Sequence, residues 1–168
     1  MKLTIDNSKD KTNKSEIVSP QSLNSIKIKE KSKKIIIVDD NIIINDSNKR
    51  LVNQILTKKG FESDIVQLFN GLELIKYILN YQNKYEDIKI IITDESMDYM
   101  DGSEAITFIR KYEKVKTLKH TKIVSLTCYE NLITTKNILN AGADIVLSKP
   151  VSKSKLEGII NDTFVNID

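Results

Sequence analysis

Lys34 opens a run, KKIIIVDD, in which an unbroken block of β-branched residues ends in two carboxylates. A strand with one wet face alternates polar and apolar residues. A short run with no alternation reads instead as a strand buried on both faces, as in a parallel sheet. Comparable short runs return at 62–66 (ESDIV), 88–93 (IKIIIT), 121–126 (TKIVSL) and 144–147 (DIVL).

Longer segments with helical spacing lie between these runs. From about Ile43 to Lys59, the apolar residues Ile44, Leu51, Val52, Ile55 and Leu56 share one helical face, and Gly60 provides a C-terminal stop. A second helix is expected over about 71–81, with Leu72, Ile75 and Leu79 on its stripe. A third is expected over 103–113 after Gly102, a fourth over 131–140 before Ala141-Gly142, and a fifth over 152–163, capped by Ser152 or Ser154. Five strands alternating with five helices imply right-handed crossovers and an α/β doubly wound sheet. The expected architecture is flavodoxin-like, (βα)5, with five parallel strands in the order 2-1-3-4-5.

Residues 1–33 are rich in Ser, Asn, Lys and Asp, lack aromatic residues and show no steady apolar period. Such a stretch buries too little apolar surface to offset its ordering entropy. It is expected to be a disordered leader or linker, with the folded domain spanning 34–168. Residues 26–34 hold five lysines and one glutamate, a solvated charge run. The whole chain holds 26 basic and 23 acidic residues, so outside that run the charges nearly balance, which is not the footprint of a nucleic-acid binder. No apolar run reaches the ~20 residues that span a bilayer. The single cysteine, Cys128, forms no disulfide within the chain and suits a reducing, cytoplasmic setting.

In a doubly wound sheet the functional crevice lies at the carboxyl ends of the strands, beside the switch point. The first strand ends in Asp39-Asp40, the third in Asp94, the fourth near Thr127 and the fifth in Ser148-Lys149-Pro150. Three carboxylates, a hydroxyl and an ammonium therefore converge. Clustered carboxylates repel one another, and a divalent cation relieves the repulsion. Oxygen ligands select a hard cation such as Mg²⁺, which can neutralise a phosphoryl group during in-line transfer to a carboxylate. The lysine adds a second positive charge, and the hydroxyl a donor.

Four stretches, IIIVDDN (35–41), TDESMDYMDG (93–102), IVSLTC (123–128) and LSKP (147–150), make the chain resemble the response-regulator receiver domains of two-component signalling. The LSKP ending and DESMDYMDGSEAI look most like receivers attached to hybrid histidine kinases. The resemblance covers about 34–165. It implies Asp94 as phosphoacceptor and Asp39, Asp40, Asp94 and the Ser96 backbone carbonyl as Mg²⁺ ligands. Thr127 and Lys149 would hold the phosphoryl group. The implied partners are a histidine kinase or histidine phosphotransfer protein and a downstream protein. The implied module is a signalling phosphoacceptor rather than an enzyme acting on other substrates. The family usually places proline where Asp98 stands and an aromatic where Val146 stands. Cys128 replaces a typically small residue, and the first helix gains about a turn through IIIN (42–45).

Other readings are weaker. A haloacid-dehalogenase phosphatase needs a second aspartate two positions after its nucleophile, whereas Ser96 follows Asp94 and Asn41 follows Asp39 at that spacing. No G-x-x-x-x-G-K-[ST] loop is present. A degenerate receiver acting as a constitutive interaction module is the alternative, favoured only by the departures at Asp98 and Val146. His120 is expected on a surface loop and Cys128 half-buried. Met97 and Met100 are expected to pack in a loop, Asp101-Gly102 to turn before the third helix, and Ser96 and Tyr129 to tune the lifetime of a phosphoryl group.

Overall fold

The computed structural model describes residues 33–128 and 131–165. Apart from Lys33, the expected leader over 1–33 lies outside the described residues. The elements are β1 (Lys34–Val38), α1 (Ile42–Lys59), β2 (Asp64–Leu68), α2 (Gly71–Asn80), β3 (Ile88–Asp94), α3 (Gly102–Lys116), β4 (Lys122–Thr127), α4 (Leu132–Ala141), β5 (Ile145–Ser148) and α5 (Lys153–Val165). All strand pairs are parallel, in the order β2-β1-β3-β4-β5. This is the doubly wound, flavodoxin-like sheet that the alternation of runs predicts.

The β-branched runs are continuous because both faces of the central strands are covered. Ile36 and Val38 of β1 point into a core with Leu74 and Ile78 of α2, Ile106 and Ile109 of α3 and Ile138 of α4. Ile35 and Ile37 point the other way, onto Val52 and Ile55 of α1 and Leu156 and Ile160 of α5. Full burial of one such side chain is worth roughly 1.5–3 kcal/mol, so the two cores together fix which helix takes which face. The first helix starts at Ile42, capped by the Asn41 side chain on the amides of Ile43 and Ile44, and ends at Gly60 in the left-handed region (φ 70°). Ser152 stands just before α5, while Ser154 lies inside it. Among the described residues no helix is long and apolar enough to cross a membrane.

Two expectations need correction, and one element was not anticipated. The α2 stripe is Gly71, Leu74 and Ile78, whereas Leu72 and Leu79 are about two-fifths exposed. LELIKYIL is apolar at so many positions that two stripes satisfy the helical period, and contact with β1 and α3 selects one. The second strand runs two residues later than ESDIV, because pairing sets Asp64 opposite Lys34 and joins them by a 2.9 Å ion pair. A 3-10 stretch over Gln82–Asp87 precedes β3 and had no periodic signal.

At the amino ends of β4 and β5, Arg110 of α3 organises a polar knot. Its guanidinium donates to Glu113 (2.7 Å), Asp144 (2.9 Å) and the carbonyls of Thr121 (3.0 Å) and Gly142 (2.8 Å). The buried Tyr85 hydroxyl donates to Glu113 at 2.6 Å, and burial, assisted by that carboxylate, pushes the phenol up. His120 is exposed, as expected of a loop residue, yet its ring lies 2.7 Å from Asp144. Burial alone would raise the Asp144 carboxyl. The Ile123 amide, His120 and Arg110 outweigh it and hold the group below the usual carboxylate range. A folded pKa below the unfolded one adds stability that is complete above about 3.9 and is lost as pH falls through the lower folded value. The urea-unfolding free energy should therefore fall more steeply between about pH 5 and pH 3 in the natural chain than in Asp144→Asn. Equal slopes would remove Asp144 from the acid response.

Candidate functional site

The carboxyl ends of β1, β3, β4 and β5 meet at one pole. Asp39 and Asp40 follow β1, Asp94 and Thr127 close β3 and β4, and Lys149 follows β5. These residues and Ser96 line one cleft of about 230 Å³, so every sequence-predicted site residue reaches the same place. One carboxylate oxygen from each of Asp39, Asp40 and Asp94 lies within 4.8 Å of the others.

Lys149 ties the cluster together. Its Nζ lies 2.7 Å from Asp39 Oδ2 and 2.9 Å from Asp94 Oδ1. Asp39 is buried and takes a further hydrogen bond from the Asn41 amide at 3.0 Å. Asp94 Oδ1 accepts from the Glu95 amide at 2.8 Å, so among the described residues the amide and the Lys149 ammonium meet the same oxygen. Burial pushes the Asp94 carboxyl up, assisted by the Asp39 charge and opposed by Lys149. Burial also opposes the charged form of Lys149, but its bonds to Asp39 and Asp94 prevail and raise it. Asp40 is exposed and accepts from the Asp98 amide at 3.3 Å. A proline at position 98 would have no hydrogen to give.

Local structure explains the placement. Gly102 opens α3 against the end of β3, and a Cβ there would collide with the Asp94 carbonyl oxygen. The Gly102 amide bonds the Glu95 carbonyl at 2.8 Å, and the Glu104 carboxylate accepts from the Asp101 amide at 3.1 Å, so the turn expected at Asp101-Gly102 anchors the loop to the strand end. Between them Tyr99 takes a positive φ (68°), and the Met100 amide bonds the Asp98 carbonyl at 2.9 Å, closing a tight turn. Met97 is buried in the core and Met100 packs against it, as expected. The Lys149-Pro150 peptide is cis. Val146 is half-buried against the same core.

Sequence reading missed Asn45. This helical asparagine is fully buried, and its side-chain amide donates to the carbonyls of Asp39 (3.0 Å) and Leu68 (2.8 Å). It joins the end of β1, which carries the acidic pair, to the end of β2. The only hint was its place in phase with Val52 and Ile55, about two and three turns along the buried face. Cys128 was expected half-buried but is exposed, since β4 ends at Thr127 and Cys128 stands beyond the paired strand, where it lines the cleft. Tyr129 lies outside the described residues.

Residues 35–161 match the response regulator receiver domain. The chain belongs to that family. Among curated relatives, this receiver is 35 % identical over 128 residues to hybrid signal transduction histidine kinase G of Dictyostelium discoideum, covering 76 % of the chain but only 3 % of that protein's length. Among solved structures it resembles the receiver domain of Ssk1 in a co-crystal with the Saccharomyces cerevisiae histidine phosphotransfer protein Ypd1 (TM-score 0.63, 22 % identity, 82 % of this chain and 95 % of that one). It also resembles the CheX–CheY–BeF3–Mg²⁺ complex from Borrelia burgdorferi (TM-score 0.60, 23 % identity, 80 % and 90 %). At these identities the solved structures speak for the fold.

Two outcomes follow for this receiver. Asn45→Ala strips donors from two carbonyls at buried strand ends and should cost about 1–3 kcal/mol in urea unfolding. A cost below about 0.5 kcal/mol would mean that water replaces the amide. Lys149→Met should raise the Asp94 carboxyl further, read by ¹³C-detected NMR titration, since Lys149 is the strongest influence holding it down. An unmoved titration would show that the ion pair does not set the charge state of Asp94.

Proposed function

We propose that this chain is the phosphoacceptor module of a cytoplasmic phosphorelay, taking a phosphoryl group from a phospho-histidine onto Asp94 with Mg²⁺. The observation that carries the reading is the meeting of Asp39, Asp40 and Asp94 within 4.8 Å, with Lys149 bridging two of them, at the mouth of an accessible cleft. The donors are all oxygens, which suits a hard divalent cation. Asp39, Asp40, Asp94 and the Ser96 carbonyl would hold it. When bound, Mg²⁺ supplies charge neutralisation for the transferring phosphoryl group.

The chain's own residues do the rest. The Glu95 amide and the Lys149 ammonium both meet Asp94 Oδ1, which leaves Oδ2 as the oxygen available for attack. A P–N bond of the donor breaks as a P–O bond to Asp94 forms. Lys149 already sits on the other oxygen and is placed to follow the charge onto the phosphoryl group. The Thr127 hydroxyl, on the neighbouring strand end, donates to another phosphoryl oxygen. These shifts bias a two-state equilibrium of the surface made by β4, α4 and β5, which a downstream protein reads. The donor is a histidine kinase or a phosphotransfer protein, the kind of partner that Ypd1 is for Ssk1.

The test is intact mass after incubation with acetyl phosphate, with and without Mg²⁺. The natural chain should gain one phosphoryl group only with Mg²⁺, and Asp94→Asn should gain none while keeping its melting temperature. No gain together with no Mg²⁺ binding would make a degenerate receiver, working as a constitutive interaction module, the better reading.

A further inference from the structure

The opposite pole of the sheet carries a second polar feature that the phosphoacceptor reading does not use. At the amino ends of β3, β4 and β5, beside α5, lies a cleft of about 400 Å³. Ile88, Ile145 and Ile159 contribute an apolar wall, and Lys89, Lys119 and Lys122 bring three ammonium groups to it. Two carboxylates, Glu86 and Asp162, also line the cleft. None of the salt bridges among the described residues involves Lys89, Lys119 or Lys122.

Lys89 is placed there by an irregularity in the sheet. Lys34 of β1 pairs with Ile88 and the next residue, Ile35, pairs with Ile90, so Lys89 has no partner across the ladder. An extra residue of this kind re-aims a side chain. Its ammonium is half-buried and donates at 2.5 Å to the Glu86 carbonyl, a neutral acceptor. Burial lowers its pKa, and the nearby charges of Lys119 and Lys33 lower it again, with Asp87 and Glu86 opposing without overcoming them. A cation held among like charges at the edge of an apolar wall is a site that an anion would relieve.

We infer that this cleft binds a phosphorylated small molecule of up to about nucleotide size. Three separate ammonium groups suit a multiply charged phosphate rather than a single carboxylate. The isoleucine wall suits an organic body, and the volume lies within the usual range for small-molecule sites. Filling the cleft would brace the start of β3 against α5, the helix that packs on the far side of the phosphoacceptor sheet.

The experiment uses AMP and inorganic phosphate as probes on the full chain without Mg²⁺, so that the acidic cleft stays out of play. Isoleucine methyl and lysine side-chain NMR signals are the readout. AMP should shift the methyls of Ile88, Ile145 and Ile159 saturably, with a dissociation constant at or below about 1 mM, and more tightly than phosphate. The Lys89 ammonium should titrate at higher pH with AMP bound. Lys89→Gln combined with Lys119→Gln should weaken AMP at least about tenfold, with a melting temperature at or above that of the natural chain, since it relieves repulsion. No saturation, binding unchanged in the double variant, shifts centred on Asp94, or phosphate binding as tightly as AMP would each overturn the proposal.

Discussion

Everything about this receiver's chemistry depends on a sheet that is buried on both faces. Ile35 and Ile37 face α1 and α5 while Ile36 and Val38 face α2, α3 and α4, so the central strands have no wet side on which to carry a functional group. Water reaches the central strands only at their ends. Polar side chains must therefore collect where strands stop, and a parallel sheet stops all its strands in the same direction. The convergence of Asp39, Asp40, Asp94, Thr127 and Lys149 follows from that geometry and from nothing local to each residue.

Electrostatic tension is then concentrated at the pole. Three carboxylates stand within 4.8 Å, two of them buried, and one lysine bridges that buried pair. Burial disfavours the charge on Asp94, and Lys149 restores part of it. Lys149 cannot neutralise all three groups, and the exposed Asp40 is left to a backbone amide. Such a cluster responds strongly to any incoming cation or phosphoryl group, because either changes the charge balance in a place where screening by water is weak. The opposite pole differs in kind, with three lysines and two carboxylates beside an apolar wall.

The element order, the parallel sheet and the acidic pole were legible because they are written in local patterns: β-branched runs, Gly60 after two lysines, carboxylates directly after strands. The α2 stripe was misread because a helix that is apolar on most sides offers more than one face, and only packing against β1 and α3 chooses between them. The second strand was misplaced because it sits at the edge of the sheet, where half-buried residues such as Gln67 blur the run and pairing with β1 sets the register. Asn45 escaped notice because an amide on a helix usually faces water. Its burial became evident only when the ends of β1 and β2 were brought beside it.

The sequence by itself determined the doubly wound order and which residue types stand at each strand end, since hydrophobic period and chain alternation are local properties. The tertiary structure alone decided that Lys149 reaches both Asp39 and Asp94, that Asn45 pins the loop carrying the acidic pair, and that an unpaired Lys89 joins two other lysines in a cleft. Those contacts join residues far apart in the chain, and their distances follow from packing, register and a single extra residue in a strand, none of which leaves a periodic trace.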